Sequence, residues 1–237
     1  MHGEALRLVE RAIARHGGER WAQLEAIELP VLALSGFLPW LKGYPRSFGI
    51  PRLVRIEPAR VRAVFVDYPR PGEHGVFDRG RVALGAGEPV EHRPSFSGAS
   101  RRRRWSALDA LYFFGYALTH YHALPWSLRD AEALAVERTR RSGAAHALTV
   151  RFPRTVHTHS EVQTIYFAED GLIVRHDYVA EIISPWARGA HLWRDHVEVN
   201  GIPIATHRRV LTRIGQRMLP LVALDARLGT PVIRGGS

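Results

Sequence analysis

The chain has 237 residues, 46% hydrophobic and 24% charged, which is the composition of a globular protein long enough to bury a core without staples. It contains no cysteine, which excludes disulfides, thiol catalysis and cysteine-rich zinc sites. The formal net charge is +10, with Lys42 the only lysine, and such a field attracts anions: phosphorylated or carboxylated ligands, acidic proteins, nucleic acid.

The N-terminal stretch MHGEALRLVERAIARHGGERW is charged throughout and has no apolar h-region. No run of about 18 apolar residues follows anywhere, so no membrane span and no integral membrane contact are expected. The expected location is cytoplasmic. Residues 3–16 place Ala5, Leu8, Val9, Ala12 and Ile13 on one helical face, and Gly17–Gly18 stops that helix. A short second turn, Glu19–Leu24, carries Trp21. From Ile27 onward IELPVLALSGFLPWL, PRLVRIEP, ARVRAVFVDYP and HGVFDRGRVALG read as β-rich runs separated by proline and glycine.

Arg101–Arg104, followed by Trp105, reads as a solvated loop. No helix-turn-helix, zinc finger or RNP-type motif accompanies it, so nucleic acid is not expected as a partner. WSALDALYFFGYALTHYHAL is a long helix, apolar nearly all round and therefore buried on most sides. Ser106 is its N-cap, with Asp109 in capping-box position, and Pro125 ends it. Residues 127–145 are mixed. Five β runs then close the chain: HALTVRFP, the hairpin TVHTHSEVQTIYFAEDGLIVRHDYVAEI, AHLWRDHVEV, IPIATHRRVLTRI and LPLVALDARL. Asn200–Gly201 marks a tight hairpin turn and Glu169–Gly171 a three-residue one. With no repeat, linker or composition break, residues 1–237 read as one domain. Its fold class is α+β, a strongly curved antiparallel sheet wrapped around a helix.

Three stretches carry a family resemblance: HGGERWAQLEAIEL; DGLIVRHDYVAEI with VEVNGIPIATHRRV, where G-I-P-x-x-x-R-R-V follows an Asn-Gly turn; and LYFFGYALTHYHALPWSL. They resemble the bacterial lipoprotein-carrier-like domains of the LolA/LolB superfamily, in its soluble branch, over most of the chain. The resemblance implies an open half-barrel sheet with helices plugging the concave face, and an apolar cavity between them suited to acyl chains or other greasy ligands. The chain departs from the secreted carriers in lacking a signal peptide, and from the outer-membrane receptors in lacking a lipidated cysteine. Both departures argue against lipoprotein transport itself. The fold also hosts enzymes, so carrier and catalyst stay open.

The hairpin at 155–182 holds the candidate chemistry. On its second strand Leu172, Val174, His176, Tyr178, Ala180 and Ile182 alternate as the inward face, which points His176 and Tyr178 at the cavity and Asp177 away from it. On the first strand the loop chemistry turns the even-numbered set (Val156 to Tyr166) inward. A one-residue shift would turn in His159, Glu161 and Gln163 instead. Candidate catalytic groups are therefore His176, Tyr178, His159 and Glu161, acting by proton transfer. Candidate ligand contacts are Tyr112, Tyr116 and His120 on the long helix and Trp193 on the next strand. The pair His157 and His159 has the i, i+2 spacing of a strand metal site. Gln163 stands where a cupin would have its glutamate, so neither metal nor another cofactor is expected. The function expected is binding of a hydrophobic, anionic small molecule or lipid. The alternative is a cofactor-independent isomerase, cyclase or dehydratase working in the same cavity.

Overall fold

The computed structural model of the chain describes residues 3–98 and 103–235. Helix α1 (Gly3–Arg15) buries the face its spacing predicts, Ala5, Leu8, Val9, Ala12 and Ile13. His16 ties off its last turn, donating from Nδ1 to the Ala12 carbonyl at 2.8 Å. A one-turn helix, α2 (Glu19–Ala22), leads into β1 (Ala26–Ser35). The reading of 27–41 as one β run is corrected here, because FLPWLK coils into a short helix, α3 (Phe37–Lys42). Gly36, at φ 104°, makes the break, and a Cβ there would lie 2.6 Å from the Ala223 carbonyl oxygen. Only glycine permits that approach.

Five further strands make a meander: β2 (Leu53–Glu57), β3 (Arg62–Val66), β4 (His74–Asp78), β5 (Arg81–Leu84) and β6 (Val90–Glu91). The long helix α4 (Ala107–Ala123) follows. Its capping box is complete: Asp109 N–H donates to Ser106 Oγ at 3.2 Å, and Ser106 N–H donates to Asp109 Oδ2 at 2.8 Å. Burial acts to raise the Asp109 pKa, but bonds from His92 and Ser106 and the nearby Arg103 charge outweigh it and hold the carboxyl ionised. Of the arginine run, Arg103 pairs with Asp109 and Arg104 is exposed, while Arg101 and Arg102 lie outside the described residues.

A second meander completes the chain: β7 (Glu132–Arg138), β8 (His146–Arg151), β9 (Val162–Phe167), β10 (Ile173–Val179), β11 (Arg188–Val199), β12 (Ile202–Ile214), β13 (Arg217–Leu228) and β14 (Val232–Arg234). β7 lies inside the stretch read as mixed, where an exposed edge strand shows no apolar alternation. Among the described residues the strands form one antiparallel sheet in the order β6-β5-β4-β3-β2-β1-β13-β12-β11-β10-β9-β8-β7, with β14 also paired to β1. β1 joins the two meanders, since its first half pairs with β2 and β14 and its second half with β13. The sheet does not close. It curves as a half-barrel whose two free edges, β6 and β7, are linked in sequence through α4.

α4 lies on β2 to β5, its one glycine set against β4. A Cβ at Gly115 would collide with Phe77, so the helix seats there by lacking a side chain. α1 lies near β7 and the ends of two hairpins, with Gly171 against Ala12 and Gly17 against Ile202. Arg15 fastens it from outside, bonding Asp170 at 2.8 Å and Glu198 at 2.7 Å.

The 155–182 hairpin shows how register was decided. Its loop closes as predicted, Ala168 N–H donating to the Leu172 carbonyl at 2.8 Å with Gly171 at φ 94°. The favoured inward set on the first strand is nonetheless wrong. Between Ile173 and Arg175 the strand carries a β-bulge, so Tyr166 stands opposite Arg175 and Ile165 opposite His176. Val174, read as inward, goes to the outer face, where it packs against Ala144, Ala147 and Tyr166. His176 and Tyr178 stay inside, and Phe167, Ile165 and Gln163 join them there.

Candidate functional site

Between α4 and the strands β1 and β10 to β13 lies an open cavity of about 240 Å³, near the lower end of ordinary ligand pockets, roughly 300 Å³. The helix supplies Phe113, Phe114, Ala117, Leu118 and Tyr121; the sheet supplies aliphatic side chains such as Val54, Leu224 and Leu228. Phe37 of α3 and Trp186 of the β10–β11 loop also line it, and Trp186 is 80% exposed. The walls are apolar because these strands alternate with their apolar set inward and α4 is apolar all round.

One polar patch of the wall is made by Tyr178, Tyr121, His191 and Arg208, and Arg188, Thr212 and Arg213 also line the cavity. Arg208, on β12 directly opposite Trp193 on β11, is 5% exposed. Its guanidinium stacks 3.8 Å from the Trp193 ring and 5.9 Å from that of Tyr121. Its Nε and Nη1 have no hydrogen-bond partner. Among the described residues no carboxylate forms an ion pair with it, and burial lowers its pKa to about 9. Both ring nitrogens of His191 are also buried and unpartnered.

Behind this wall the long helix meets the hairpin through tyrosine–histidine bonds. Tyr112 Oη lies 3.0 Å from His157 Nδ1, Tyr116 Oη 2.8 Å from His159 Nδ1, and Tyr121 Oη 2.6 Å from His159 Nε2. Tyr121 also donates to Tyr178 Oη at 3.2 Å. One proton order satisfies the chain. Tyr116 donates to His159 Nδ1, His159 Nε2–H donates to Tyr121, and Tyr121 donates to Tyr178. The Tyr178 proton then has no acceptor within the chain. Burial raises the phenol of Tyr178 and lowers the imidazoles of His159, His176 and His191 well below the ordinary histidine range, so all of them stay neutral.

The sequence candidates separate accordingly. Tyr178 lines the cavity, and Trp193 lies beneath Arg208, beside a second, much smaller cavity. Tyr112, Tyr116, His120 and His159 form the layer behind. His176 is fully buried, its Nε2 bonded to Gln163 Oε1, which His120 also approaches at 3.3 Å. It does not line the cavity. Glu161 turns the other way, pairing with Arg154 at 3.0 Å on the surface, because residues 157–161 precede β9 as an irregular segment. His157 and His159 share no metal geometry, each ring being taken by a helix tyrosine. Among the described residues no group of three or more histidine, aspartate or glutamate side chains is disposed to hold a metal ion. Arg208 was not singled out from the sequence. The signal was available, since Arg208, Val210 and Thr212 alternate along β12 and all line the cavity.

No protein-family model matches the sequence, and no curated protein matches it. Solved structures resemble it in fold. A LolA superfamily protein from Nitrosomonas europaea aligns over 97% of this chain and 93% of its own, with 9% identity and a TM-score of 0.50. A DUF1329 family protein from Desulfovibrio piger aligns over 97% and 92%, with 14% identity and a TM-score of 0.47. The chain therefore has the LolA-like fold that the sequence resemblance implied.

Proposed function

We propose that this protein binds a hydrophobic, anionic small molecule, a lipid or lipid-like metabolite, and holds its apolar part out of water between the sheet and α4. The observation that carries the reading is the cavity itself: open to solvent, walled by aliphatic and aromatic side chains, and rimmed by an exposed tryptophan. A water-filled apolar cleft of this size is unfavourable empty and gains about 25 cal/mol for each Å² of apolar surface that a ligand covers. The excess of arginine sets the sign of the charge attracted. A cytoplasmic location belongs to the same proposal, and fractionation of producing cells tests it. Native mass spectrometry of the purified protein, with organic extraction of anything retained, tests the binding. The expected result is a co-purifying hydrophobic acid or lipid; a protein that never retains or takes up a hydrophobic compound contradicts it.

A second reading, cofactor-independent proton transfer on a hydrophobic substrate, is supported by the chain from Tyr116 through His159 and Tyr121 to Tyr178 at the cavity wall. In that reading Tyr178 and His191 meet the substrate, and His176 acts only from behind, through Gln163. Once a substrate is in hand, Tyr178→Phe should slow conversion by about two to four orders of magnitude. Unchanged conversion removes Tyr178 from any mechanism.

A further inference from the structure

Two arginines are buried on the strands β10 and β12, and only one is neutralised. Arg175, 1% exposed on the outer face, forms a two-pronged ion pair with Asp177 at 2.7 and 2.8 Å. Arg208, on the inner face, has aromatic rings for neighbours and no carboxylate. Burying a cation without an anion is costly, and proteins pair such charges or use them. Its unpartnered groups, Nε and Nη1, each share with Nη2 one of the two planar edges on which a guanidinium binds an oxyanion.

Other unused hydrogen-bonding groups lie close by. The Tyr121 ring is 4.6 Å from that of His191 and 5.9 Å from the Arg208 guanidinium, and the Tyr178 ring is 6.4 Å from that of His191. His191 has both ring nitrogens free, and Tyr178 keeps its own proton at the end of the hydrogen-bond chain. We infer that this polar patch is a receptor for the carboxylate of a single-chain hydrophobic acid, bound head inward on Arg208, Tyr178 and His191 with its tail along the apolar walls. This rests on the binding function proposed above and names the class of ligand.

The class follows from charge matching. One guanidinium neutralises one negative charge, and the remaining donors are neutral. A carboxylate offers two oxygens and a single charge. A phosphate monoester carries about 1.5 to 2 negative charges and would leave part of them uncompensated in a dry site. The orientation follows from burial: Arg208 is the buried cation of the cavity, while the walls elsewhere are mostly apolar, with Arg188 exposed beside Trp186 and Arg213 already bonded to the Gly189 and Gly215 carbonyls.

The test compares dodecanoic acid, dodecanol and dodecyl phosphate on delipidated protein by isothermal titration. The acid should bind about ten- to a hundredfold more tightly than the alcohol, the range expected of charge-assisted hydrogen bonds, and more tightly than the phosphate. Arg208→Met should bring the acid-to-alcohol ratio close to one while leaving the alcohol's affinity intact. Tyr178→Phe should lower the ratio by a smaller factor. Should Arg208→Met not fold, Arg208→Gln supplies the same readout, because a glutamine removes the charge while keeping a polar head for the buried site. Equal binding of acid and alcohol to the wild type, or a ratio that survives loss of the arginine, overturns the inference and leaves hydrophobic binding standing. A phosphate that outcompetes the acid overturns the carboxylate assignment. If none of the three amphiphiles binds, the binding function itself fails.

Discussion

Arg208 is the residue on which function and stability pull apart. Its desolvation weakens the free protein, stacking on Trp193 and Tyr121 offsets part of that cost, and a bound anion would offset more. Arg208→Met removes that cost while keeping an apolar body against Trp193, so the ligand-free protein should be as stable as wild type or more so. Denaturant titration checks this; a loss beyond about 2 kcal/mol would mean that the guanidinium is already satisfied. The buried histidines make a second residue-scale prediction. Burial lowers His16, His120 and His196 to about 4 and His122 to about 3, and moves His159, His176 and His191 well below 6.5. In the unfolded chain these groups take up protons below about pH 6.5. The unfolded state therefore binds more protons between 6.5 and the folded values, and stability present above pH 6.5 is lost as the pH falls through that window. Each histidine steepens the loss by up to about 1.4 kcal/mol per pH unit. Circular dichroism against pH should show unfolding well before the carboxylates titrate. A fold that persists unchanged to pH 4 would show that these rings have a route to water.

At the scale of elements, α4 and its fit to β4 decide the shape of the cavity. Gly115→Ala already forces a methyl into Phe77 and should cost roughly 1–3 kcal/mol by overpacking. A thermal melt with an unchanged midpoint would mean that the helix can lift from the sheet. Gly189 plays a similar part on β11, where a Cβ would come within 3.1 Å of the Tyr178 ring. Most elements were legible in the sequence because their signals are local. The α1 stripe, the Ser106 cap, the Asn200–Gly201 turn and the alternation of β12 each depend on a few neighbouring residues. What was not legible depends on the rest of the chain. The bulge at Val174 has no composition signal, yet it alone decides that Gln163 and Ile165, not the even-numbered set, stand beside His176. α3 resembles a strand until Gly36 is seen to need a positive φ. β6, β7 and β14 are short or exposed and carry no periodicity. In the site, the inward placement of His176 and Tyr178 followed from alternation. Their separation, one sealed and one lining the cavity, required knowing where Tyr121 falls. Arg208 was readable in principle, as an arginine among apolar alternates, but a chain with so many arginines makes one more inconspicuous.

For the whole molecule, the two meanders meet at β1, and the cavity lies under that junction, covered by the helix that also joins the two free edges in sequence. The sheet supplies an extended apolar wall and α4 supplies its lid, so the cavity is a consequence of the topology more than of any one residue. No helix among the described residues is long and apolar enough to cross a membrane. The most direct measurement is a titration with a fluorescent aliphatic probe, wild type against Ala226→Trp, in which an indole is placed into the cavity from β13. The account predicts saturable single-site binding to the wild type and affinity at least about tenfold weaker in the variant, with unfolding midpoints that agree. Equal affinity in the two proteins, or no saturable binding to either, would contradict it.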